Sequence, residues 1–350
     1  MSPLPTHMTG VQLTGHGGPE VLKLRQDIPV PEPAPGEVLI RVAAAGVNNT
    51  DINTRLGWYS KEGNSPEDAA WTGRPLPLPL IQGADVCGRI VAVGEGVDSG
   101  RVGERVLVEP CLREANGQEL ETPWYLGSEC DGGFAQYVRV AARHAHRIES
   151  PLSDVELASF PCSYSTAENL LSRAQVSEGD RVLITGASGG VGSAAIQIAK
   201  DRGAEVMGVA HRSKWDVLES IGADQLLDRD ADLVNALGVN SVDAVIDLVG
   251  GPAWPTLLEV LRPFGRYAVS GAIAGYAVTL DLRTLYLKDQ TLLGCTVLDD
   301  GVFARLVQRI ESGAIRPLVA QTFPLEQIHE AQTVFQAKQH VGKLVLEIPD

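Results

Sequence analysis

Residues 181–200 read Arg-Val-Leu-Ile-Thr-Gly-Ala-Ser-Gly-Gly-Val-Gly-Ser-Ala-Ala-Ile-Gln-Ile-Ala-Lys. The apolar run at the start predicts a strand, and the apolar residues after Gly192 recur at the spacing of a helix. Between them lies a glycine-rich turn, which is typical of a pyrophosphate site because backbone N–H groups and a helix N-terminus can approach the anion closely. We therefore predict a dinucleotide bound by Ala187, Ser188, Gly189, Gly190, Val191 and Gly192.

Strand and helix patterns alternate on both sides of this turn. Residues 205–210 and 242–249 are short apolar runs, and residues 214–221 and 254–261 have the spacing of helices. Such alternation indicates a doubly wound parallel sheet with helices on both faces, so the fold class is α/β. Residues 1–150 contain short β-branched runs between turn signals and predict a β-rich unit. Residues 60–79 and 112–130 are expected to be surface loops.

The composition excludes several partners. The chain has 350 residues, with 44 acidic and 29 basic side chains and a formal net charge of −15. Such a surface repels phosphate backbones and anionic lipid, so we expect neither nucleic acid nor membrane as a partner. The five cysteines include no C-x-x-C pair, and no apolar run approaches the length of a membrane span. These features predict a cytoplasmic protein that acts on a small molecule.

The residues after the second strand bear on the choice of coenzyme. Folds that bind NAD usually place an acidic residue about 20 positions after the turn, where it holds the ribose 2′-hydroxyl. The corresponding segment here contains His211, Arg212, Ser213 and Lys214, with no carboxylate. Cationic and hydroxyl groups suit a 2′-phosphate, which favours NADP(H) as the cofactor. The alternative is that this segment is only a solvated helix start.

Four segments carry a family resemblance: Ala187-Ser-Gly-Gly-Val-Gly192, Ala45-Gly-Val-Asn48, Asp247-Leu-Val-Gly-Gly251 and Gly342-Lys-Leu-Val-Leu346. They resemble the medium-chain dehydrogenase/reductase superfamily, and most closely its zinc-free quinone oxidoreductase branch, the zeta-crystallin type. The resemblance implies a Rossmann NADP-binding domain at 151–314. It also implies a GroES-like substrate and catalytic domain at 1–150, completed by 315–350.

The same resemblance carries expectations about further residues. It implies that Asp247, Gly271 and Lys343 belong to the cofactor-binding set. It also implies a homodimer or homotetramer that joins Rossmann sheets at the edge formed by Thr291–Val297.

The resemblance also bears on zinc. Zinc alcohol dehydrogenases of this superfamily bind the catalytic metal with a cysteine, a histidine and a later cysteine or aspartate. Asn48 stands at the first of these positions, Ala84 at the second and Cys162 at the third. Because a catalytic zinc needs three protein ligands, we expect no metal.

The catalytic candidates are Asn48, Asp51 and Tyr59, which lie in a stretch similar to the substrate cleft of quinone oxidoreductases. Asn48 is expected to donate a hydrogen bond to a substrate oxygen, and Tyr59 to donate a proton or to stack. Each has a structural alternative: Asn48 caps a turn, Tyr59 is a loop aromatic, and Asp51 holds a loop or pairs with Arg55. A tyrosine of that family is replaced here by Asn53.

Three functions remain open on these observations. The first is an NADPH-dependent oxidoreductase that transfers hydride to a quinone or an α,β-unsaturated carbonyl without zinc. The second is an enoyl-thioester reductase. The third is an NADPH-binding protein with little turnover, used structurally or in regulation.

Overall fold

The structure is a computed structural model that describes residues 4–60 and 75–349. Two compact units are defined by the contacts within the chain. The first unit comprises residues 1–162, 317–339 and 343–350, and the second comprises residues 163–316 and 340–342. Most of the predicted 60–79 loop (residues 61–74) lies outside the described residues.

The strands within the described residues are, in chain order, β1 (His7–Leu13), β2 (Leu22–Pro29), β3 (Glu37–Val47), β4 (Leu80–Ile81), β5 (Cys87–Val93), β6 (Arg105–Val108), β7 (Cys111–Ala115), β8 (Gln118–Tyr125), β9 (Tyr137–Ala141), β10 (Ala145–Arg147), β11 (Arg181–Ile184), β12 (Glu205–Val209), β13 (Gln225–Leu227), β14 (Val242–Asp247), β15 (Leu261–Val269), β16 (Thr291–Gly294), β17 (Val319–Pro324) and β18 (Lys343–Glu347).

The α-helices in the same residues are α1 (Asn49–Leu56), α2 (Asp154–Leu157), α3 (Pro161–Arg173), α4 (Gly190–Asp201), α5 (Trp215–Ser220), α6 (Leu233–Leu237), α7 (Trp254–Val260), α8 (Leu282–Leu287), α9 (Val302–Glu311) and α10 (Ile328–Ala337). None of these helices is both long and apolar enough to cross a bilayer.

The first unit is built on a mixed sheet that the end of the chain completes. Its strand order is β10-β6-β5-β3-β18-β17, and β9 also pairs with β3. Strand β18 runs antiparallel to β3, with Leu344 opposite Val47, and parallel to β17. The apolar side chains of both segments share one buried core. The last strand therefore belongs to the β-rich unit.

The expectation of a surface loop at residues 112–130 is wrong. Most of this segment forms a hairpin in which β7 pairs antiparallel with β8. Asn116 and Gly117 connect the strands, and both have positive φ values, 53° and 71°. An Asn-Gly pair between two extended runs is a strong hairpin signal because both turn positions need that conformation.

The second unit contains the predicted doubly wound sheet, which is confirmed. Its order is β13-β12-β11-β14-β15-β16, and every pairing is parallel. Strand order therefore reverses between β11 and β14, which is the place where sheets of this kind bind ligands at the carboxyl ends of their strands. The glycine-rich turn follows β11 directly, so it lies at this reversal.

Candidate active site

The glycine-rich turn packs backbone against backbone. Gly186 has a φ of +60°, in the left-handed region that glycine tolerates best. A Cβ added to Gly192 would lie 2.3 Å from the carbonyl oxygen of Gly186 and 2.7 Å from Cα of Ala187. Only glycine therefore allows α4 to begin so close to the end of β11.

The other side of the turn is open. A Cβ added to Gly189 would meet one described atom within 4 Å, the Gly186 carbonyl oxygen at 3.5 Å. Gly189 is the N-cap of α4, and no side chain caps this helix start. Uncapped N–H groups and the helix dipole favour an anion here. The residues of the turn therefore fit a pyrophosphate.

The basic segment after β12 lies beside this turn. Lys214 Nζ donates to the hydroxyl of Ser188 at 3.4 Å, which joins the two predicted parts of the coenzyme site. Burial, and then the charge of Arg229, lower the pKa of Lys214. His211 Nδ1 accepts the backbone N–H of Ser213 at 3.2 Å, which shapes the turn.

Arg212 is held only loosely. Its guanidinium lies 5.3 Å from the centre of the Trp215 ring and 3.9 Å from the Asp228 carboxylate. The side chain is 76% exposed, so it can turn toward a ligand. The segment thus contains an exposed cation, Arg212, close in sequence to Lys214, which is hydrogen-bonded to Ser188.

Asp247 ties the ends of three strands together. Its Oδ1 accepts the Thr185 hydroxyl at 2.6 Å and the backbone N–H groups of Val249 and Gly250, and its Oδ2 accepts the Tyr267 hydroxyl at 2.6 Å. Burial, and then the charge of Asp247, raise the pKa of Tyr267. These four bonds satisfy the buried carboxylate within the protein. Asp247 therefore positions the strand ends on which a ligand would rest.

The backbone of Gly271 packs closely against the backbone of Leu248, much as Gly192 packs against Gly186. A Cβ there would lie 2.6 Å from the carbonyl oxygen of Leu248. The segment after β15 can therefore pass directly beside the residue that follows β14.

A second group of predicted residues meets in the first unit. Asn48 is the N-cap of α1, and its backbone N–H donates to Asp51 Oδ2 at 2.7 Å in a capping box. Lys343 Nζ donates to Asn48 Oδ1, to the Val47 carbonyl at 3.0 Å and to Asp85 Oδ2 at 2.7 Å. We call Lys343, Asp85, Asn48 and Asp51 the Lys343 cluster. All four side chains are at least 95% buried.

The structure places Lys343 in a different group of residues from the one that the sequence suggested. The sequence grouped Lys343 with the cofactor-binding residues, whereas its ammonium nitrogen lies on Asp85 and Asn48. Arg55, the alternative partner of Asp51, donates instead to Gln332 Oε1 at 2.8 Å and to the Gly17 carbonyl at 2.6 Å. Asp51 therefore acts on α1 as a cap.

Asp85 also reaches the start of α3. Its Oδ1 accepts the backbone N–H of Cys162, and Cys162 Sγ lies 3.0 Å from the hydroxyl of Tyr125. Burial, and then the negative charge of Asp85, raise the pKa of the Cys162 thiol to about 12. Cys162 therefore stays a neutral thiol near neutral pH. No role for Asp85 or Tyr125 follows from local sequence, because both contact Cys162 from distant parts of the chain.

Tyr59 lies beside α1 and is half-buried. Its hydroxyl accepts a long hydrogen bond of 3.5 Å from Asn53 Nδ2, and it also hydrogen-bonds with Thr50. Burial raises the pKa of Tyr59. The phenol therefore stays protonated near neutral pH and remains able to donate a hydrogen bond.

Two separate features are thus in place. The second unit has a parallel sheet, a glycine-rich turn at the strand-order reversal and cations beside it. The first unit has a buried ammonium group with two carboxylates and an amide. This fold and the turn define a two-unit protein of the class that binds a dinucleotide where strand order reverses.

Comparison with known proteins identifies the family. Residues 34–150 match the model of the alcohol dehydrogenase GroES-like domain, and residues 190–312 match that of the zinc-binding dehydrogenase. The chain is 30% identical over 353 residues to the quinone oxidoreductase of Homo sapiens, with 97% of each chain covered. The chain belongs to the medium-chain dehydrogenase/reductase superfamily of oxidoreductases.

Two further relatives show how varied the superfamily is. The chain is 30% identical to the acryloyl-coenzyme A reductase of Metallosphaera sedula, covering 97% of this chain and 99% of that one. It is 47% identical to the crystal structure of a candidate alcohol dehydrogenase from Sinorhizobium meliloti, with a TM-score of 0.91 over 99% and 98% of the two chains.

The residues of the Lys343 cluster do not fit a zinc site. A catalytic zinc takes three protein ligands, which are thiolates, imidazoles or carboxylates. Asp85 is paired with an ammonium group and Asn48 supplies an amide, so the neighbouring Cys162 thiol would be one ligand where three are needed. Across residues 4–60 and 75–349, no three His, Cys, Asp or Glu side chains are grouped as a metal would need.

We predict that Asp51 makes stability depend on pH. Burial raises the pKa of Asp51 from 3.8 to about 7. Between those values the unfolded chain loses the Asp51 proton while the folded chain keeps it, so the contribution of Asp51 to the free energy of unfolding falls as the pH rises from about 4 to about 7. Asp51→Asn should remove this slope, measured by urea unfolding across that range.

The control is Asp281→Asn, which changes an exposed carboxyl whose pKa is lowered by its hydrogen bond to Arg283. The free energy of unfolding of this variant should differ from that of the unmodified protein by a nearly constant amount over the same pH range. Parallel stability curves for Asp51→Asn and the unmodified chain would contradict the assignment.

Proposed function

We propose that this protein is an NADPH-dependent reductase that transfers hydride to a quinone or an α,β-unsaturated carbonyl without zinc. The observation that carries the proposal is the buried Asn48 amide, whose oxygen is bound by Lys343 so that its nitrogen is the donor. A substrate that accepts hydride at a conjugated carbon needs a hydrogen-bond donor and a proton rather than a metal at its oxygen. Amide and phenol groups supply such donors.

The second unit offers the residues that would hold the coenzyme. The backbone of residues 187–192 would bind the pyrophosphate, and Arg212 and Lys214, with Ser213 and His211, would bind a 2′-phosphate. Bound NADPH would supply the hydride. The missing carboxylate after β12 supports NADPH over NADH, because an acidic residue there would repel the 2′-phosphate.

Asn48 and Tyr59 are the proposed groups that act on the substrate oxygen. One hydrogen of Asn48 Nδ2 is bound to Asp85 at 2.7 Å, and the other has only a long contact of 3.4 Å with the Gly46 carbonyl. This second hydrogen is the one available to a substrate oxygen. Tyr59 is the proposed proton donor, and Asp51 supports Asn48 by capping α1.

A second candidate is reduction of an enoyl thioester. The similarity to the acryloyl-coenzyme A reductase favours it, because that protein is as similar to this chain as the human quinone oxidoreductase is. Both reactions deliver hydride to a carbon conjugated with a carbonyl group. The Lys343 cluster is compatible with either.

Turnover on a substrate panel tests the proposal. NADPH oxidation is followed by absorbance with quinones, enones and enoyl-coenzyme A esters, and we expect turnover on quinones or enones. Added zinc and a chelator should leave the rate unchanged. Activity only on the thioesters would support the second candidate. Coenzyme binding without any turnover would contradict both and support a binding protein.

We predict that Arg212 selects the coenzyme. Arg212→Ala should weaken NADPH binding about 10-fold or more, because it removes a charge-assisted hydrogen bond to the 2′-phosphate. NADH binding should stay within about 2-fold, since NADH has no such phosphate. Fluorescence titration of the reduced nicotinamide measures both affinities.

The matched control is Arg283→Ala, because Arg283 is 75% exposed and Arg212 76%. It should change neither affinity. Unchanged NADPH binding by Arg212→Ala would contradict the assignment, as would an equal loss for NADH.

We also propose that the second unit pairs with a second copy through β16. This strand pairs on one side only, with β15, and so leaves its outer edge available within the part of the chain that the structure describes. Large apolar side chains in β15 and in the chain between β15 and β16 are strongly exposed: Phe264, Tyr276, Leu282, Tyr286 and Leu287. Apolar surface beside an unpaired strand edge favours a twofold dimer in which the same surfaces meet.

Light scattering after size-exclusion chromatography tests this pairing. The unmodified chain should have the mass of a dimer or a tetramer, and Leu287→Glu should reduce it by placing a charge in the apolar contact. Val239→Glu is the control, because Val239 is also exposed, at 58%, but lies outside this patch. A monomer for the unmodified chain would contradict the proposal, as would an unchanged mass for Leu287→Glu.

A further inference from the structure

The ammonium group of Lys343 has all three of its donors in use. They bind the Val47 carbonyl, Asn48 Oδ1 and Asp85 Oδ2, and the side chain is 98% buried. An ammonium group donates and never accepts hydrogen bonds. The atom of Asn48 that faces Lys343 must therefore be the amide oxygen.

This contact fixes the orientation of the Asn48 side chain. With its oxygen on Lys343, the amide places its nitrogen on the far side, where Nδ2 donates to Asp85 at 2.7 Å. An amide turned by 180° would place N–H groups against the ammonium and its oxygen against a carboxylate, which are both repulsive. Lys343 and Asp85 therefore favour the same orientation of the Asn48 amide.

We propose that Lys343 is a positioning residue, whose charge orients the Asn48 amide so that it offers an N–H group, and not its oxygen, to the substrate. This inference rests on the proposed role of Asn48 in the reductase. According to the inference, Asn48 can act as a donor to the substrate only while a buried cation binds its oxygen. In this inference Lys343 acts on the substrate through Asn48, whose amide oxygen its ammonium group binds.

A simpler role for Lys343 is to neutralise Asp85 within the folded unit. Two variants separate these roles. Asp85→Asn keeps the ammonium, so the Asn48 oxygen is still drawn to Lys343, but it leaves a buried charge without its counter-charge. The double variant Lys343→Met with Asp85→Asn has no buried charge from this pair, but the amide introduced at position 85 accepts either orientation of Asn48.

The proposal predicts that stability and kcat change in opposite directions between these two variants. The double variant should unfold at a higher urea concentration than Asp85→Asn, because it buries no unpaired charge. Its kcat should nevertheless be about 10-fold to about 100-fold lower, because the donor is no longer held in place. A purely structural role would make kcat follow stability.

A direct probe of Asn48 uses side-chain amide signals in protein labelled with ¹⁵N at asparagine. The Asn48 pair is identified by its loss in Asn48→Asp. We expect it to stay sharp and slow to exchange in the unmodified chain and in Lys343→Arg, which keeps the charge. It should broaden and exchange faster in the double variant.

The results distinguish this inference from the proposed function. If the unmodified protein turns over no substrate of the panel, the proposed function fails, while the amide signal still tests the orientation of Asn48. Equal amide signals in the unmodified chain and the double variant would overturn the inference. So would a kcat that recovers with stability, or an NADPH affinity more than about 10-fold lower in the double variant than in Asp85→Asn, which would make Lys343 a coenzyme contact.

Discussion

The close packing of α4 on the turn after β11 is the constraint on which the coenzyme site depends. There is no room for a side chain at Gly192, because a Cβ would lie 2.3 Å from a backbone oxygen. Asp247 stabilises the same turn by accepting hydrogen bonds from groups at the ends of β11, β14 and β15. The helix start is thereby held, without a capping side chain, where strand order reverses.

The first unit depends instead on the pairing of two buried charges, those of Lys343 and Asp85. Burying Lys343 and Asp85 together is tolerable because they pair with each other, and because Asn48, the Val47 carbonyl and the Cys162 backbone N–H satisfy their other donors and acceptors. Strand β18 makes this possible, since it carries Lys343 back to β3, 295 residues after Asn48. The return of the chain end is therefore a condition for the chemistry proposed at Asn48.

These two features differ in how far the sequence predicts them. The turn, its flanking strand and helix and the parallel sheet follow from local patterns in residues 181–200. The hairpin at residues 111–125 could also have been predicted from Asn116-Gly117, a local signal that the expectation of a loop at residues 112–130 left unused. The Lys343 cluster was not predictable, because its members are brought together by pairings between distant strands. Local sequence showed that Asp85 and Lys343 are charged, but not that they meet.

Calorimetric titration of the full chain with NADPH and then with NADH measures whether the glycine-rich turn and the cations beside it hold the coenzyme. We expect saturable heat with NADPH at one site per chain and weaker binding of NADH, because the cations beside the turn act only on the extra phosphate. Baseline heats with both coenzymes would contradict this expectation.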